Sequence, residues 1–190
     1  MLCNECDRFE QKLAFHTAPA LLGIKPANLV SLSSAEFNVR ENADKFNARA
    51  ASKGLKIKVL CECRKKILIL LYNEAMLKKQ LSESERSRVL AEFGYGSDLT
   101  LERKLNRLAE RISAQDDFPH DIGLFLGYPV EDVLGFIKYG GGNFKFCGYW
   151  KVYGSEEKAR RTFENYNKCR KYLCNKLSQG SDIYQALRIS

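Results

Sequence analysis

Histidine is scarce in this chain. Of its 190 residues only His16 and His120 carry an imidazole, so any imidazole-based acid–base or Cys–His chemistry must use one of those two. No apolar run reaches the roughly 18 residues that a membrane helix needs, so no spanning segment is predicted. The opening Met-Leu-Cys-Asn-Glu-Cys-Asp-Arg lacks the basic region and apolar run of a secretory signal, and the expected location is the cytoplasm. Internal repeats and low-complexity stretches are missing too. Cys3 and Cys6 form a lone CxxC, with no second pair and no His-x-x-x-His to complete a four-ligand site. The expectation is therefore no metal, with Cys3 and Cys6 as the alternative for a thiol-based metal or redox site. Seven cysteines, an odd number, read as free thiols of a reducing compartment rather than a disulfide framework. Gly140 to Gly142 are not followed by the Lys-Ser/Thr and helix start that give a phosphate loop its donors.

What is present is ordinary for a globular domain: 45% hydrophobic and 28% charged residues. The length fits one domain over 1–190, with residues 1–5 read as a mobile N-terminus. The net charge of +8 permits an acidic partner, but the cations are dispersed, and a basic nucleic-acid-binding module is disfavoured.

Periodicity predicts the elements. Cys6, Phe9, Leu13 and His16 share one helical face, predicting a helix over about 5–16 with His16 on its apolar side, broken at Pro19 and Gly23. Residues 27–32 read as a short strand. Ser33 and Glu36 suggest a capping box, followed by a helix burying Val39, Ala43, Phe46 and Ala50 and ending at Gly54. Leu55, Ile57, Val59, Cys61 and Cys63 alternate with more polar residues, which predicts a strand whose covered face holds both thiols. The unbroken run Ile67–Tyr72 predicts a central strand covered on both faces and paired with 55–63. Helices are expected over about 74–80 and 84–93, along the stripe Leu101, Leu105, Leu108 and Ile112, after Pro129, and from Ala159 to Leu177. Residues 122–128 and 146–153 read as strands. The fold expected is α/β, in the mixed α+β sense: a single domain with one mixed sheet of about five strands and helices on both faces.

The densest pattern lies at 118–153, which holds seven of the thirteen glycines and the one tryptophan. It contains Pro119-His120-Asp121-Ile122-Gly123-Leu124-Phe125-Leu126-Gly127-Tyr128-Pro129, then Asp132-Val133-Leu134-Gly135-Phe136-Ile137, then Gly148-Tyr149-Trp150-Lys151-Val152-Tyr153. These three blocks resemble the signature of the bacterial family known as domain of unknown function 3793. The stretch from Ala14 to Pro26 resembles that family's N-terminal pattern. The resemblance implies a bacterial protein and singles out His120. It carries no activity or cofactor with it.

Each candidate has a plain structural alternative. His120 could be a base or ligand, or could cap the turn after Pro119; the neighbouring Asp121 should point the other way. Cys147 could be a nucleophile paired with a histidine, or a small buried thiol. His16 could line a site, or be a hydrogen-bonded core residue. Lys25 could reach an anionic ligand, or be solvated. Tyr149 and Trp150 could stack on a flat ligand, but strand alternation would put Tyr149 and Tyr153 opposite Trp150. The function expected is small-molecule binding in a pocket where His16 and His120 meet near Gly123–Tyr128 or Gly148–Trp150, with a Cys/His-dependent enzyme as the alternative.

Overall fold

A computed structural model describes residues 5–63, 65–114 and 118–189, without the Cys63 side chain. The N-terminal CxxC therefore falls partly outside the described residues, as do residues 1–4 of the segment read as mobile; Glu5 already belongs to the first helix. The chain runs α1 (Glu5–Leu21), β1 (Ala27–Ser33), α2 (Val39–Ala50), β2 (Leu55–Cys63), β3 (Lys66–Asn73), α3 (Glu74–Leu81), α4 (Ser84–Glu92) and α5 (Leu101–Ala114). It continues through α6 (Ile122–Phe125), α7 (Val130–Lys138), β4 (Phe146–Cys147), β5 (Lys151–Val152), α8 (Glu156–Ser178) and α9 (Ile183–Ala186). This is a mixed α+β fold with five strands among the described residues, but not one mixed sheet. The strands form two antiparallel sheets, ordered β1-β3-β2 and β4-β5.

The central strand is where the apolar run predicts it. β3 pairs with β1 on one side and β2 on the other, so its backbone groups are bonded on both edges. Its side chains alternate between two cores. Ile67, Ile69 and Leu71 pack with residues of α1, α2, α8 and α9, whereas Leu70 and Tyr72 pack with residues of α3 to α7. Ile69, Leu70 and Leu71 are fully buried, and each such side chain contributes roughly 1.5–3 kcal/mol. An apolar run without alternation is the sequence of a strand with no polar face.

Several local expectations are corrected. α1 continues through Pro19, which falls in the last turn, where the missing N–H forfeits a single bond. The Pro19 carbonyl then accepts from the Ile24 and Lys25 amides at 2.8 and 3.1 Å, and Gly23, at φ 69°, reverses the chain. The cap of α2 is Asn38, whose side chain accepts from the Glu41 amide, and not Ser33, which ends β1. Val39, Ala43, Phe46 and Ala50 are buried as the stripe predicts, and Gly54 adopts the left-handed conformation that stops the following turn. In β2 the register shifts between Val59 and Cys61, so Leu60 joins the second core and Cys61 is only half-buried. Residues 122–125 are a short helix, not a strand, and 146–153 is a hairpin rather than one strand.

The two sheets are joined through the signature. Asp132, in the first turn of α7, is buried and accepts three hydrogen bonds from the hairpin. Its donors are Trp150 Nε1 at 2.7 Å and the backbone amides of Tyr153 and Gly154 at 2.7 and 2.8 Å. The glycines here permit close packing. A Cβ on Gly135 would overlap the Tyr153 ring, and one on Gly148 would overlap the Phe163 ring.

Candidate functional site

Three segments of the signature converge, with Leu29 of β1, on one cleft of about 390 Å³. The turn before α6 brings Phe118 and His120. The end of α6 and the start of α7 bring Tyr128, Val133 and Phe136. The hairpin brings Cys147, Tyr149, Trp150 and Lys151. The volume is within the range of small-ligand sites. Of the residues singled out from sequence, His120, Cys147, Tyr149 and Trp150 meet here. His16 does not. It is exposed on α1 and lines a different groove with Phe15, Phe37 and Leu177, so the expected meeting of the two histidines is not found. The inward stripe of α1 is Phe9, Leu13, Ala14, Thr17 and Ala18, and His16 falls beside it.

Most of the cleft wall is aromatic. The Tyr128 and Trp150 rings stack at 4.7 Å and 26°. His120 is exposed, and its ring lies 4.7 Å from that of Phe136. Lys151 Nζ is 5.5 Å from the Phe136 ring centre and donates at 2.6 Å to the Gly141 carbonyl. Asp132 reaches the cleft but spends its oxygens on the hairpin. Tyr149 and Trp150 are not on opposite faces, as a continuous strand would require. Both pack on Phe163 and Tyr166 of α8, because the hairpin turn places them side by side.

Cys147 is exposed rather than a core thiol. It shares the cleft with His120, yet among the described residues no hydrogen bond joins its sulfur to an imidazole. Asp121 forms no dyad with His120. It is buried, and accepts at 2.6 Å from Arg111, which also donates to Tyr95 Oη at 3.0 Å. Cys6 is exposed, with its sulfur 3.8 Å from a Glu10 carboxylate oxygen, and Cys3 lies outside the described residues. Among the described residues no three His, Cys, Asp or Glu side chains converge as a metal site would require.

Lys25 departs furthest from its expected environment. It is 2% exposed rather than solvated. Its Nζ lies 5.0 Å from the Tyr128 ring centre and 5.6 Å from that of Tyr166, and among the described residues no carboxylate pairs with it. Burial pulls its pKa down to about 7. Burial also pushes Tyr128 up to about 12 and raises Tyr166. Tyr128 thus separates the cleft from a lysine that is close to losing its charge at neutral pH.

Sequence reading named the Gly123–Tyr128 segment but not the Tyr128 ring, and missed Phe118, Phe136 and Lys151 as lining residues. Their one available signal was a place in the 118–153 stretch, with Phe118 standing just before the first signature block. No helix among the described residues is long and apolar enough to cross a membrane.

A family model matches residues 13–187, nearly the whole chain, and the chain belongs to that family, described as Protein of unknown function (DUF3793). The match includes both histidines, Lys25 and every residue of the cleft; Cys3 and Cys6 precede it. No curated protein and no solved structure matches the chain.

Proposed function

We propose that this chain is a small-molecule-binding protein whose site is the signature cleft, and that its ligand is flat, ring-bearing and largely uncharged. The observation that carries this reading is the convergence of His120, Tyr128, Phe136, Cys147 and Trp150, from separate segments, on one cleft. The wall supplies ring faces and few free polar groups, since Lys151 and Asp132 are engaged in the protein. A flat apolar ligand gains by covering such rings, and His120 at the rim supplies one donor or acceptor to orient it.

Saturation-transfer NMR with indole and 2-naphthol as uncharged probes tests this. Both should bind, and Phe136→Ala and His120→Ala should each weaken binding severalfold while leaving the fold intact. Binding that neither substitution changes, or no binding at all, refutes the assignment.

A second reading has one observation in its favour: an exposed thiol and an imidazole share the cleft. If Cys147 acts as a nucleophile, iodoacetamide should alkylate it much faster than an ordinary exposed thiol, and His120→Ala should abolish the acceleration. Alkylation at the ordinary rate in both proteins removes this reading.

A further inference from the structure

The larger concave feature is the groove of about 790 Å³ between α1 and α8, which the signature cleft does not use. Along α1, Arg8, Lys12 and His16 are four residues apart, so they stand on one stripe covering about 12 Å of helix. Ala14, Phe15 and Phe37 line the groove with Leu177 from α8, and Phe15 is 48% exposed.

The charge in this groove is uneven. At one end the Arg170 guanidinium lies 4.7 Å from the Phe15 ring centre, and the His16 ring meets the same phenylalanine edge-on at 5.0 Å. Lys12 and Arg170 are close enough to His16 that, after burial, they are what holds its imidazole below its ordinary pKa. No acid offsets them there, and among the described residues none of Lys12, His16 and Arg170 forms an ion pair. At the other end Arg8 lies over the Phe37 ring at 5.8 Å, and Glu36 lines the wall there. One end therefore gathers unpaired cations around an exposed ring, while the other combines a cation with an acid beside apolar wall. A partner helix carrying acidic residues along its length would need positive charge at both ends. A molecule with a single anionic head and an apolar tail needs it at one.

We propose that the α1–α8 groove binds a chain-like carboxylate, its head held by Lys12, His16 and Arg170 and its tail laid along Phe15, Phe37 and Leu177. Lys12 and Arg170 form no ion pair among the described residues, and the groove leaves the Phe15 ring 48% exposed and Leu177 half-buried, while Phe37 at its other end belongs to the core. The groove shares no lining residue with the signature cleft, although Arg170 also lies 5.4 Å from the ring centre of the cleft's Tyr149, and the two differ in the charge of their ligands.

Calorimetric titration of the whole chain with decanoate, below its micelle concentration, tests the proposal. Decanoate should bind once per chain, acetate should not bind measurably, and decyltrimethylammonium should neither bind in the groove nor displace decanoate. Lys12→Glu and Arg170→Gln should each weaken decanoate severalfold; Lys12 is exposed, so its change should leave the thermal midpoint in place, whereas Arg170 is half-buried over the Phe15 and Tyr149 rings and its variant is read against its own midpoint. Leu177→Ser should weaken it through the tail, so the result does not rest on the charge changes alone. His120→Ala and Phe136→Ala should leave it unchanged. Three outcomes overturn the proposal: no binding of decanoate, equal binding of the cationic amphiphile, or loss of binding in the cleft variants but not in the groove variants. None of them bears on whether indole or 2-naphthol occupies the cleft.

Discussion

Two side chains, Asp132 and Lys25, show how far burial changes the meaning of a residue. Asp132 stands where an acid suits the positive end of α7, but its carboxylate is turned to the hairpin and takes three donors. Asp132→Asn would put an amide hydrogen against at least one of those donors. It should cost about 2–3 kcal/mol in chemical denaturation and shift the emission of Trp150. Wild-type stability and an unchanged emission maximum would mean the three bonds contribute little.

Lys25 yields a pH prediction. Its pKa in the folded chain is about 7, against an ordinary 10.5. Between those values the unfolded chain holds the proton more often than the folded one, so stability should rise with pH across the window. Below about pH 7 the cost of burying the charge is felt in full. The limiting slope is about 1.4 kcal/mol per pH unit, set by the one proton that the two states hold differently. Lys25→Met should therefore be more stable than wild type at pH 6, with the difference shrinking towards pH 10. A constant difference between the two proteins across that range would contradict the burial argument. Nothing near Lys25 in the sequence announces its environment, because Tyr128 and Tyr166 come from segments more than a hundred residues away.

At the scale of elements, legibility followed periodicity. α2 and α5 have polar faces, and their stripes mark the covered side: all four named residues of α2 are buried, and in α5 Leu105 and Leu108 are buried with Leu101 and Ile112 half-buried. Residues 122–126 are buried all round, so they form an apolar run with no period, and such a run reads equally as a strand or as one turn of helix. The positive φ of Gly127 turns the chain immediately afterwards. In the hairpin, Tyr149 and Trp150 have strong strand preference yet occupy the turn, because Asp132 and α8 hold them there. Gly148 makes this packing possible. Gly148→Ala should cost about 1–3 kcal/mol and loosen the hairpin, since Phe163 must move. Gly140→Ala, with open space around it and a φ of 56°, should cost only about 1 kcal/mol of backbone strain. Comparable losses from the two would mean that contact with Phe163 is not what selects glycine at 148. The cleft itself was partly legible: its residues could be named from the signature, but their convergence depends on a helix and a turn that the sequence presents as strands.

At the scale of the molecule, the central strand separates two cores. Ile69→Ala and Leu70→Ala change neighbouring residues that face opposite ways, and each should cost about 2–5 kcal/mol in urea unfolding. If one is nearly neutral, one face of the strand is not truly covered. The first core is also assembled from elements far apart in sequence, α1 with α8 and α9. α1 packs along α8, and a Glu10 carboxylate oxygen accepts from the amide of Ile183, 173 residues later, at 2.9 Å. A growing chain released from the ribosome has its entire three-stranded sheet available by residue 73, and the helices that cover the other face by residue 138. Leu173 and the α9 residues Ile183, Tyr184 and Ala186 follow about a hundred residues after the sheet, and until they are made the sheet face they seal stays partly open. Completion of the first core therefore waits on residues 173–186, and a chain halted near residue 155 would present that unsealed face to chaperones and proteases.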